Sequence, residues 1–105
     1  MDSQANGNKL KEEYYNGNGW YRVWDSGLIE QGGVLYTDSF YHDSDTYHTF
    51  WFPKEFPTKC LSIHPTSLNC DLYGDQIESY NNKSFVIRYD NHQSKVYQMY
   101  YAIGY

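Results

Sequence analysis

Arginine is nearly missing from this chain. Arg22 and Arg88 are its only two in 105 residues, and the formal net charge is −5. Without clustered guanidinium groups there is no electrostatic footprint for a phosphate backbone, and nothing basic to draw the chain to an anionic membrane. No apolar run approaches the roughly 18 residues of a spanning helix, so a transmembrane helix is excluded. Cysteine is scarce as well: Cys60 and Cys70 are too few for a disulfide scaffold. In a reducing cytosol both are expected to stay thiols, with Cys60 buried in a strand. No segment carries a helical period, and Met1 to Glu13 is polar, without the apolar centre of a secretory signal.

Tyrosine is what the chain has in excess. Thirteen of its residues are Tyr and aromatics reach 20%, which supplies a core in a largely polar sequence. A chain of this length forms one domain and buries roughly 60–70% of its unfolded surface. The tyrosine ring with its polar tip suits half-buried strands and binding surfaces alike.

Short β-prone runs separated by turn formers recur along the sequence. Trp20 to Trp24 and Leu28 to Gln31 flank Asp25-Ser26-Gly27, which predicts a hairpin, and Gly32-Gly33 predicts a bend or bulge where a side chain would clash. Further strands are expected at Thr46 to Phe52, Lys59 to His64, Cys70 to Tyr73, Gln76 to Tyr80, Ser84 to Tyr89 and Lys95 to Ile103. Pro65 to Asn69 is expected to be a loop, and residues 1–18 a flexible arm or linker preceding a domain at 19–105. The fold class is all-β: an antiparallel β-sandwich of short strands. In the last strand both alternating sets, Val96, Gln98, Tyr100, Ala102 and Tyr97, Met99, Tyr101, Ile103, are largely apolar. Such a strand suits two partners, the domain's own core and a neighbouring subunit. Trp20, Trp24, Tyr97, Met99 and Tyr101 are the expected interface.

Chemistry-bearing clusters are few. His42, Asp43, Asp45 and His48 are metal ligands by type, but they sit in a polar loop with no recognised spacing, so no metal or other cofactor is expected. Asp25, Glu30, Asp38 and Asp43 could supply the paired carboxylates of a glycosidase, yet nothing in the sequence sets two of them across a sugar. Glu30 opposite Arg22 reads as a cross-strand ion pair. Cys60 and His64 are expected on one strand face, and no serine has the context of an activated nucleophile. No catalytic motif emerges.

The stretch Gly19 to Gly33, "GWYRVWDSGLIEQGG", resembles the opening signature of a C-terminal domain family at the tips of tailed-phage tail fibres. "FWFPKEFP" (Phe50 to Pro57), "KSFVIRYD" (Lys83 to Asp90) and the closing "YYAIGY" (Tyr100 to Tyr105) continue the resemblance to the last residue. It implies a homotrimeric fibre tip that attaches a virion to a bacterial surface polysaccharide or outer-membrane protein, without catalysis. Assembly in the host cytoplasm would need no secretory signal, and neither nucleic acid nor membrane insertion is implied. The alternatives are a tailspike-type glycan-degrading domain and a tip that only nucleates trimer folding. Receptor contacts are expected on loops: Tyr36, Tyr41, His42, Tyr47 and His48 in the longest one, with Tyr73, Tyr80 and His92 beside other turns.

Overall fold

The computed structural model describes residues 8–37, 46–68, 77–89 and 96–105. Among them the chain is all strand and turn: β1 (Leu10–Tyr15), β2 (Gly19–Trp24), β3 (Ile29–Thr37), β4 (Thr46–Trp51), β5 (Cys60–Leu68), β6 (Ile77–Tyr80), β7 (Ser84–Tyr89) and β8 (Val96–Gly104). Every ladder is antiparallel. One sheet has five strands in the order β1-β2-β3-β8-β5, the other three in the order β4-β7-β6. The all-β, antiparallel expectation therefore holds.

Period-two alternation builds the core between the sheets. In β7, Phe85, Ile87 and Tyr89 are buried while Val86 and Arg88 are not, as the sequence pattern predicts. They meet β8 from the facing sheet: Phe85 packs edge-on against Tyr100 at 4.8 Å, and Tyr89 donates to Gln98 Oε1 at 2.6 Å. Phe50, Phe52, Phe56, Ile29, Cys60 and Ala102 complete the buried cluster. Each fully buried ring of this kind contributes about 1.5–3 kcal/mol. Cys60 is the buried thiol foreseen, and burial pushes its pKa up; Cys70 lies outside the described residues.

The hairpin forms as expected, with Gly27 at φ 94 and its N–H donating to Trp24 O at 2.8 Å. The Gly32-Gly33 pair, however, makes no bulge. Both residues stay in register, Gly32 opposite Trp20 and Tyr101, Gly33 opposite Gly19 and Tyr100. Close approach is what excludes a side chain. A Cβ at Gly32 would lie 2.5 Å from Tyr100 O and 2.9 Å from Trp20 Nε1, and one at Gly33 would lie 2.7 Å from Asn18 O. Gln31, in the same signature, is fully buried and clasps the backbone of Lys54, donating from Nε2 to its carbonyl and accepting from its N–H.

Three further expectations change. Within the expected arm, Leu10–Tyr15 is strand β1, paired to β2 through an Asn16-Gly17-Asn18 turn in which Asn16 Oδ1 accepts from the N–H groups of Asn18 and Gly19. Tyr14, Tyr15 and the Asn-Gly dipeptide are strand and turn formers, and pairing with β2 supplies the ladder that a six-residue segment cannot make alone. The expected loop at Pro65 is the continuation of β5 to Leu68, which a proline tolerates because β5 is an edge strand. Finally, a register shift between Cys60 and Ser62 changes the phase of β5. Cys60 is left in the core, while His64 is exposed near Tyr101. The two side chains do not share a face.

Candidate functional site

Two aromatic surfaces stand outside the core. The first is the face of the five-stranded sheet turned away from the smaller sheet. Alternation brings Trp20, Arg22 and Trp24 of β2, Glu30 of β3 and Tyr97, Met99, Tyr101 and Ile103 of β8 to it. The five residues expected at a subunit interface thus share one face outside the buried cluster, and Met99 is 40% exposed. Several polar tips on this face are paired, although the Trp20 indole N–H makes no hydrogen bond among the described residues. Trp24 Nε1 and Tyr101 OH both donate to the Glu30 carboxylate at 2.7 Å. Burial first, and then this bond, pushes the Tyr101 phenol up to about 12. Arg22 lies over the Trp20 ring at 5.0 Å, donates to Glu13 at 3.0 Å and to Tyr15 OH at 2.7 Å. The expected Arg22–Glu30 ion pair does not form although the two are in register, because the Glu30 oxygens serve the indole and the phenol.

The second surface is a groove of about 560 Å³ between the β1–β2 turn region and strand β4. Its walls are Tyr14, Tyr21, Tyr100, His48, Phe50 and Trp51, with Asn16, Asn18 and Thr49 as the polar lining. Tyr14 and Tyr21 stack at 5.2 Å, Tyr21 OH donates to Glu12, and Lys54 Nζ stands 5.1 Å from the Tyr21 ring. Trp51 is 68% exposed. Among the described residues its indole N–H, the Asn18 side-chain amide, the Asn16 Nδ2 and the Tyr14 hydroxyl make no hydrogen bond. His48 packs edge-on to Phe50 at 4.9 Å, and burial pulls its pKa down, so it is neutral at pH 7.

The expected receptor residues do not gather at one place. Tyr41, His42, Tyr73 and His92 lie outside the described residues, as do Asp38, Asp43 and Asp45. Of Tyr36 the structure describes its place in β3, opposite Tyr97. Tyr47 is not on a loop but in β4, 57% exposed. Tyr80 ends β6 at a separate small cleft with Leu61, Ile63 and Ile77. Of the described ones, only His48 lines the groove. No cluster of three or more metal-ligating side chains occurs among the described residues. Sequence reasoning missed Tyr14, Asn18 and Trp51. The Asn-Gly turn between Tyr-Tyr and Trp-Tyr would have pointed to the first two.

The family model described as "Putative tail fiber protein gp53-like, C-terminal" matches residues 22–105. No curated protein matches the chain. Among solved structures, it is similar to an N-truncated R1-type pyocin tail fiber, with 21% identity and a TM-score of 0.71 over 98% of this chain and 93% of that one. It is also similar to a P. aeruginosa R1 pyocin fiber, at 22% identity and TM-score 0.69, and to an N-truncated R2-type pyocin tail fiber, at 20% and 0.66. The chain covers 30% and 41% of these two longer proteins.

Proposed function

The chain belongs to the gp53-like family of tail fiber C-terminal domains, and from that premise we propose that it is a non-catalytic attachment domain for a bacterial surface receptor. The observation that carries this is the groove. It combines exposed rings with open side-chain amide donors, and none of its described lining residues is a carboxylate. Glycoside hydrolysis by the usual route needs two carboxyl groups across the scissile bond. Of the described candidates, Glu30 is held by Trp24 and Tyr101 on the other surface, and Asp25 is in the hairpin turn. Incubation with polysaccharide from a bacterial surface separates the possible roles. Retention without cleavage is the expected result, depolymerisation marks an enzyme, and neither marks a structural tip.

The domain works as a homotrimer at the tip of a particle's tail fibre. Support comes from the outer face of the five-stranded sheet, where Trp20, Trp24, Tyr97, Met99 and Tyr101 lie together and the Trp24 indole and Tyr101 hydroxyl are already paired with Glu30. Closing such a face against another copy removes ring surface from water without stranding the Trp24 and Tyr101 donors, and leaves the Trp20 indole N–H to find an acceptor on the partner. Light scattering in dilute buffer is expected to give three copies, and a stable monomer would sink the assignment. Tyr41 and Tyr47 are further receptor contacts in this reading. The double alanine variant is expected to lose cell attachment while keeping its melting temperature.

A further inference from the structure

We infer that the groove between the β1–β2 turn and β4 binds a segment of uncharged glycan, an inference that rests on the attachment role and names its ligand class. None of the described residues lining the groove carries a formal charge at neutral pH, His48 included. An anionic sugar or phosphate would find no cation among the described lining residues; Lys54 Nζ stands 5.1 Å from the Tyr21 ring. The chain's net charge of −5 also repels a polyanion.

What the lining does offer matches a pyranose. Trp51 and Tyr14, 68% and 41% exposed, present ring surface that suits the C–H face of a sugar, while the Tyr21 ring is covered by Tyr14 and approached by Lys54. Asn16 is oriented by its own turn: Oδ1 is occupied by two backbone N–H groups, which leaves Nδ2 as a donor. Asn18, Thr49, the Tyr14 hydroxyl and the Trp51 indole add further groups without partners among the described residues. Ligand hydroxyls both donate and accept, so one ligand type can satisfy all of them. The groove's volume of about 560 Å³ lies within the usual range of binding sites, roughly 300–1,000 Å³.

The test begins with bacterial cells that the intact chain coats. Polysaccharide extracted from those cells is split by anion exchange into neutral and acidic fractions, and each is used to compete for attachment. The neutral fraction is expected to compete, and periodate treatment of the cells, which cleaves vicinal diols, is expected to abolish attachment while protease treatment does not. Trp51→Ala and, separately, Asn18→Ala are each expected to weaken binding of the neutral fraction at least tenfold with an unchanged melting temperature. Competition by the acidic fraction alone, loss of attachment on protease treatment, or undiminished binding by both variants overturns the inference while leaving an attachment role in place. Failure of the intact chain to coat any bacterium overturns the attachment role itself.

Discussion

On the outer face of the five-stranded sheet, Trp24 and Tyr101 both donate to Glu30, and Arg22 reaches Glu13 and Tyr15. In the groove, Trp51, Asn18 and Tyr14 have no such partners among the described residues. Both surfaces are aromatic, and composition alone makes them look alike. Their polar tips distinguish them. A surface whose donors are largely satisfied internally, as for Trp24 and Tyr101 though not for the Trp20 indole, can be closed against another protein copy with little stranded. Open donors beside exposed rings need a ligand that brings its own hydrogen bonds. The two surfaces also lie on opposite sides of the sheet's pleat: Tyr21 lines the groove while its neighbours Trp20 and Arg22 belong to the outer face.

The largest test of this contrast is a change that does not respect it. Phe85 is buried between the sheets, against Phe50 and Tyr100. Phe85→Ala should cost about 3–5 kcal/mol in a denaturant titration. Self-association and attachment should fall together, since one core positions both surfaces. Gln31→Ala is more selective. It leaves the Lys54 N–H and carbonyl without their partner and frees the segment after β4, beside the groove. A stability loss of about 2–3 kcal/mol is expected, with weaker binding at the groove. Unchanged binding would mean that the clasp does not shape the groove.

Glu30→Gln addresses the other surface and should cost about 1 kcal/mol while weakening self-association. It also has a pH signature. In the folded chain Tyr101 stays protonated up to about 12, against the ordinary 10. Its contribution is therefore fully present below pH 10 and is lost as pH rises toward 12. Absorbance titration of the variant should show the Tyr101 phenol ionising at lower pH, with the burial effect remaining. The smallest effect on stability is expected for Trp51→Ala. The side chain is 68% exposed and makes no hydrogen bond among the described residues, so stability should stay within about 0.5 kcal/mol of the parent. A larger loss would show that Trp51 is part of the packing and not of an open site.

Some of this was legible in the linear chain because it depends on local chemistry. The period-two run Phe85-Val86-Ile87-Arg88-Tyr89 and the Asp25-Ser26-Gly27 turn need only strand geometry and a residue tolerant of positive φ. The doubly apolar last strand likewise predicted a core face, and the structure puts Gln98, Tyr100 and Ala102 toward the core and Met99 and Tyr101 away from it. Partner choice was not legible. Whether Glu30 meets Arg22 or Trp24, why two glycines follow Gln31, and on which face His64 emerges all depend on atoms distant in sequence. The groove belongs to that second class. Tyr14, Asn18 and Trp51 meet only when β1 and β4, edge strands of different sheets, are brought together by a shared core, and no local signal in the chain encodes that distance.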